Sequence, residues 1–201
     1  MILSNVELHR AVDRGRLIIT PEPAPRTPDP NDSSGYCPYD THSVDLTLGS
    51  EIVIPLSGTY AFDLMQSSPL GPFLTRNSRR VRLDDGASYV LERHTFILAQ
   101  TRERVELPIE HADNSETCLA ARIEGKSSRA RVGLLVHFTA PTVHPGFEGN
   151  LTLEMINLGP TSIVLRPGIP IAQLIVEEVK GVPRPNPSQF QGQTTPEGST
   201  H

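Results

Sequence analysis

The chain of 201 residues is 37% hydrophobic and 20% charged, and its 18 Lys/Arg against 23 Asp/Glu leave a net charge of −5. That length holds one domain, or a domain with a tail, and is enough for a real core. The absence of tryptophan, an aromatic content of 5% and a pI near 5.8 exclude a base-stacking platform and the electrostatic footprint of a duplex binder, so polymeric nucleic acid is not an expected partner.

Ser4 and Glu7 make an S-x-x-E capping box ahead of Leu8, Ala11 and Val12, with Gly15 beyond, which predicts a short helix over 5–14. LIIT (17–20) reads as a strand. PEPAPRTPDP places five prolines in ten residues, which rules out regular structure, and with NDSSG after it residues 21–35 form a surface loop. From residue 43 the pattern turns to period two: Val44, Leu46 and Leu48 alternate with Ser43, Asp45 and Thr47 until Gly49 breaks the run before EIVIP. Residues 56–80 show no clear periodicity. Asp85-Gly86 marks a turn between VRL and SYVLE, and TFILAQ (95–100) reads as a buried strand. Further strands are predicted at 118–123, 132–139, 150–157, 162–165 and 171–179. Gly146, Gly149, Gly159-Pro160 and Pro167-Gly168 punctuate them at the spacing of a sandwich or barrel. The expected organisation is a β-barrel domain over 1–181 and a polar tail over 182–201 that either stays mobile or folds over a ligand.

Cys37 and Cys118 are too few for a disulfide framework or a four-cysteine zinc site, and reduced thiols in a cytoplasmic protein are expected. No apolar run approaches the roughly 18 residues of a membrane span, so no membrane partner is expected. MILSNVELHRAVDRGR is interrupted by charge too early for a signal peptide.

Two segments carry chemistry. EGKSSRAR (124–131) gathers Lys126, Arg129 and Arg131, with Arg122 upstream and hydroxyls on Ser127 and Ser128, a composition that suits an anionic ligand such as a phosphate. A solvated turn is the plain alternative. The G-K-S within it is not a P-loop, because the first glycine of that motif would fall at Ala120 and strand-like sequence follows where a helix is required. In NLTLEMIN (150–157), alternation places Leu151, Leu153 and Met155 on one face and Thr152 and Glu154 on the other. Bulky apolar neighbours would desolvate the Glu154 carboxyl and raise it toward a general-base range, the alternative being an ordinary exposed strand glutamate. His137 and His144, with no H-x-H or H-x-E, read as core or loop histidines and not as metal ligands of a cupin-type jelly roll.

MILSNVEL at the start, SVDLTLG (43–49), EGKSSRARVGLLVHFTA (124–140), PGFEGNLTLEMIN (145–157), LRPGIPIAQLIVEEV (165–179) and FQGQ (190–193), in that order, resemble the dCTP deaminase family, a branch of the dUTPase-like fold. The resemblance implies an all-β, distorted jelly-roll barrel with a short N-terminal helix, assembled as a homotrimer with active sites between subunits. It implies hydrolytic deamination of dCTP to dUTP and ammonia, with Mg²⁺ held mainly by the triphosphate and thymidine triphosphate as a candidate inhibitor. Zinc deaminases carry H-x-E with P-C-x-x-C, which does not occur here, so no zinc is expected. By position Glu154 matches the family's general acid and base, with Ser127 and Arg131 in the same catalytic set. Lys126, Ser127, Ser128, Arg129, Ala130 and Arg131 match phosphate-binding and site-forming positions. Thr152 and Leu153 match residues near the nucleoside, Gln173 and Gln193 match nucleotide contacts, and Thr139 and Ala140 would offer backbone groups to the base or to water. Gln193 would belong to a tail that closes over the nucleotide.

The chain also departs from that pattern. His144 stands near the sugar position where the family usually has an aspartate, and imidazole supplies no fixed negative charge at neutral pH. Hydrolysis of dUTP, or a bifunctional conversion of dCTP to dUMP, is therefore not expected. The segment 181–189 is shorter than the family's and lacks its customary tyrosine. A nucleotide-binding homologue without catalysis is the remaining alternative, and Glu154 argues against it, since a pure binder has no use for that carboxylate.

Overall fold

Apolar residues at period two dominate the chain, and they are satisfied by strands. The computed structural model describes residues 1–58, 61–63, 70–109, 117–181, 183–184 and 190–198. Within these the elements run α1 (Asn5–Asp13), β1 (Ile18–Thr20), β2 (Val44–Pro55), α2 (Leu70–Arg76), β3 (Ser78–Arg82), β4 (Tyr89–Leu91), β5 (Phe96–Glu106), β6 (Thr117–Gly125), α3 (Ser127–Ala130), β7 (Leu134–Leu135), β8 (Thr142–Val143), β9 (Glu148–Asn157), β10 (Ile163–Leu165) and β11 (Pro170–Lys180). Nine strands form one sheet in the order β7-β9-β5-β2-β11-β6-β8, with β1 added to β5 and β3 to β2; β4 and β10 pair separately. All the ladders are antiparallel. The sheet curls, because residues of β8 at one end of this order and of β9 near the other line one cavity.

The 12-residue β2 is the spine. Its first half pairs with β11 and its second with β3, while Leu48, Ile52 and Val53 pair with β5 through a register shift between Leu48 and Ile52. Gly49 sits in that shift. The expectation that it ends the strand is corrected: it lets the strand bend through, since a Cβ there would lie 3.0 Å from the Gln100 carbonyl oxygen. Leu46, Leu48 and Ile52 of β2, Ile97 of β5 and Leu153 and Met155 of β9 lie fully buried in a single core. Each such side chain contributes about 1.5–3 kcal/mol on burial.

The helix foreseen over 5–14 is α1, and Leu8 and Ala11 are its buried face. Only half of the capping box forms: Ser4 Oγ accepts the Glu7 N–H, while the Glu7 carboxylate turns to Arg10. Residues 21–35 carry neither helix nor strand.

Other expectations need correction. The turn at Asp85-Gly86 forms, with the Ala87 N–H donating to the Asp84 carbonyl at 2.9 Å, but the strands it separates do not pair with each other: β3 joins β2, and β4 pairs with β10. The stretch 56–80, illegible by period, contains α2 and most of β3, while Thr59, Tyr60 and 64–69 lie outside the described residues. The predicted strand over 132–139 shrinks to Leu134–Leu135. Its ladder with β9 stops after Leu135↔Ile156, and the Phe138 N–H beyond it turns to the Glu154 carboxylate of β9. Asp45, placed by alternation on an outer face, is buried at 4% exposure.

Candidate functional site

β9 alternates as the sequence requires: Leu151, Leu153 and Met155 are buried in the core, and Thr152 and Glu154 lie half-buried on the opposite face. That face opens on a cavity of about 630 Å³. Its walls include Leu70 and Leu74 of α2, Ala140 and His144 from the loops around β8, and Phe190, Gln193 and Glu197 from the tail.

Glu154 is not walled by apolar groups alone, as the alternation suggested. Its Oε2 lies 2.5 Å from His137 Nδ1 and accepts the Phe138 N–H at 3.5 Å. Extending the β7–β9 register from Leu134↔Asn157 and Leu135↔Ile156 sets His137 opposite Glu154, so the pair is a cross-strand pair whose backbone ladder has opened. The carboxylate raises the His137 imidazole above its ordinary range; burial opposes this, and the Ala140 carbonyl, accepting from the ring, assists. A raised imidazole stabilises the fold fully below its ordinary value of 6.5, and the stabilisation is lost as pH climbs through the folded-state value. The stability gap between the protein and His137→Gln, about 1 kcal/mol, should therefore narrow as the pH of thermal melts rises from about 6 to about 9. A gap constant across that range would show that no charge pair exists.

The tail segment 190–198 is docked on the chain. Gly192 donates to the Glu148 carbonyl at 2.8 Å, Asn150 N–H to the Gln193 carbonyl at 3.0 Å, and Gln193 Nε2 to the Asn150 carbonyl at 2.7 Å. The Thr152 hydroxyl donates to the Pro196 carbonyl at 3.3 Å. Gly149 permits this approach, because a Cβ there would meet the Gln193 backbone at 2.9 Å. Glu197, its side chain 3% exposed, accepts two hydrogen bonds from Arg80 Nη2 of β3 at 2.9 and 3.0 Å. Of the expected tail, the described segment 190–198 is folded onto β9, and 182, 185–189 and 199–201 lie outside the described residues.

The cavity thus brings together Ala140, His144, Thr152, Glu154 and Gln193. The side chain of Leu153 points into the core, which leaves only its backbone to face a ligand, and Thr139 is exposed beside the cavity without lining it. Lys126, Ser127, Ser128, Arg129, Ala130 and Arg131 are not among its walls. They form α3 and its flanks, a helical turn where extended chain was expected; the missing first glycine alone now argues against a P-loop. Ser127, Ser128, Arg129 and Arg131 are exposed, and neither arginine makes an ion pair among the described residues. Lys126 is paired with Asp45, and Gln173 donates to Ser43 Oγ at 3.2 Å on the neighbouring strands. Sequence reasoning read His137 as a core or loop histidine and Asp45 as a polar strand residue, and gave no role to Arg80 or Glu197.

The sequence matches the model of the dCTP deaminase-like family over residues 2–179. It is 34% identical to the dCTP deaminase of Natronomonas pharaonis, in an alignment covering 99% of this chain and 94% of that one. The chain belongs to the dCTP deaminase-like family. To the dCTP deaminase, dUMP-forming, of Methanosphaera stadtmanae it is 30% identical, over 98% of this chain and 92% of the relative. Among solved structures it is similar to the 2'-deoxycytidine 5'-triphosphate deaminase of Agrobacterium tumefaciens, with a TM-score of 0.59 and 20% identity. That superposition covers 89% of this chain but 47% of the solved one, so the chain spans about half its length, and it bears on fold alone. In this dCTP deaminase-like chain the positions that resemble the family's site fall in two groups, one around Glu154 and the tail, the other around Lys126 and α3. No helix among the described residues is long and apolar enough to cross a membrane.

Proposed function

We propose that the protein hydrolyses dCTP to dUTP and ammonia, with Glu154 as the group that moves protons. The observation carrying this reading is a carboxylate on β9 that opens on a cavity with a polar side chain, Thr152, on its own face and Ala140 in the wall. Glu154 would take a proton from water, the resulting hydroxide would add to cytosine C4, and the protons would pass to the ring nitrogen and the departing amine. Water and dCTP then balance dUTP and ammonia. His137 supports this by holding the carboxylate in one orientation from across the strand pair. Mg²⁺ is proposed to arrive on the triphosphate and to be held mainly by it.

A homotrimer completes the reading. The exposed Ser127, Ser128, Arg129 and Arg131 lie outside the cavity of their own chain, which is what a site shared between subunits requires. Val132, Leu135, Phe138 and Leu158 are large apolar side chains left exposed around β7, a surface suited to a second copy. Two free cysteines fit a cytoplasmic setting.

Some relatives are named dUMP-forming, and His144 decides how this chain is read beside them. His144 is exposed at the cavity rim, where it can donate to or accept from a hydroxyl but supplies no lasting negative charge to orient water on a phosphate. Incubation with dCTP and Mg²⁺, followed by separation of products, should yield dUTP and ammonia with no dUMP or pyrophosphate. Absence of ammonia would sink the deaminase reading; dUMP would sink the part assigned to His144.

A further inference from the structure

The anion-binding segment has a buried anchor. Lys126 Nζ lies 2.5 Å from both carboxylate oxygens of Asp45, which is 4% exposed and also accepts the Tyr36 hydroxyl at 3.1 Å. The register explains the meeting: Gln173 of β11 stands opposite Asp45 on one side and Glu124 on the other, so Lys126, two residues past Glu124, reaches across β11 to β2. Lys126 is also the residue at which β6 gives way to α3. An ammonium has three N–H donors, so Lys126 can keep Asp45 neutralised while another donor meets a phosphate, whereas losing the lysine altogether would leave a buried carboxylate without its counter-charge. The lysine is therefore held by the fold. Arg129 and Arg131, exposed and without ion pairs among the described residues, are the cations still available to an anion.

We propose that Asp45 is a positioning residue for triphosphate binding, acting through Lys126, which it pins so that α3 presents Ser127, Ser128, Arg129 and Arg131 in one arrangement. This rests on the dCTP reading above and gives Lys126 a tethering role beside any phosphate contact it makes. It also gives the segment after the proline-rich loop a task, because Tyr36 closes the other side of the Asp45 carboxylate.

A double-mutant cycle tests it. Asp45→Asn should raise KM for dCTP by about tenfold and weaken binding of inorganic tripolyphosphate, measured by calorimetry, by the same factor, with kcat within about twofold. In a Lys126→Met background the same change should alter both by less than about twofold, because the residue through which Asp45 acts is gone. Equal effects in the two backgrounds, or a loss confined to kcat, would overturn the proposal. If Asp45→Asn does not fold, Tyr36→Phe keeps the ion pair and removes one hydrogen bond, and should raise KM by about two- to threefold; an unchanged KM overturns the proposal as well. If the unaltered protein releases no ammonia from dCTP, the deaminase reading fails while the tripolyphosphate titrations still decide the role of Asp45.

Discussion

Glu154→Gln is expected to reduce ammonia release from dCTP by about 10²–10⁴-fold while nucleotide still binds. The amide is nearly the same size as the carboxylate and can still accept the Phe138 N–H, so the local backbone has no reason to move. What it cannot do is take a proton from water or return one to the departing amine. It also removes the charge facing His137, and the loss of that pair should cost about 1 kcal/mol of stability, too little to unfold a protein of ordinary stability. Ammonia release under saturating dCTP, set beside the dissociation constant for dCTP from calorimetry, separates the two effects. Turnover within about threefold of the unaltered protein would take Glu154 out of the chemistry. A dissociation constant weakened in proportion to the rate would make it a binding group instead.

Much of the fold is legible because alternation and burial share one cause. Val44, Leu46 and Leu48 had to share a face, as did Leu151, Leu153 and Met155, and both sets lie in the core. What period two does not carry is the partner. The turn at Asp85-Gly86 separates two strands that pair with different neighbours, and nothing local could show that β4 waits for β10, more than 70 residues later. Nor can alternation say whether an outer face meets water: Asp45 is on the polar side of β2 yet buried, because Tyr36 and Lys126 close over it. The helix α2 was invisible because seven residues containing a glycine and a proline make no amphipathic signature.

The site was legible by composition and not by contact. Thr152 and Glu154 could be placed on one face from NLTLEMIN alone, and a basic hydroxyl-rich turn could be recognised in EGKSSRAR. His137 could not be given its role, since it lies 17 positions from Glu154 and meets it only through the β7–β9 register. The signal that would have found it is a strand pairing of 134–137 with 154–157, which requires knowing that the short β7 folds back on β9. Arg80 and Glu197 are 117 residues apart, and no pattern in either segment hints at the other.

That last pair carries the second large expected effect: Arg80→Ala should release the tail and lower kcat/KM for dCTP by about 10²-fold, whereas Glu197→Ala should cost less than about tenfold. The asymmetry follows from burial. The Glu197 side chain is 3% exposed and, among the described residues, accepts hydrogen bonds from Arg80 alone, while Arg80 is 42% exposed and has Glu51 at 3.7 Å as well. Removing the arginine leaves a buried carboxylate without a partner, a penalty of about 3–5 kcal/mol. Removing the glutamate leaves a guanidinium that already reaches water. The hydrogen bonds that dock 190–198 work against the entropy of ordering the segment, so the docked tail has little reserve with which to absorb that penalty. The carboxylate escapes by leaving with the tail, and Phe190, Gln193 and Pro196 leave the cavity wall with it, admitting water beside Glu154. Amide hydrogen exchange at Gly192 and Asn150, whose N–H groups are bonded to the Glu148 and Gln193 carbonyls, should become fast in Arg80→Ala and stay slower in Glu197→Ala. The melting temperature of the barrel should stay within a few degrees in both variants, because neither residue belongs to the apolar core. Slow exchange in Arg80→Ala, or the same exchange in both variants, would mean that the tail is held by its backbone hydrogen bonds and that the ion pair is incidental.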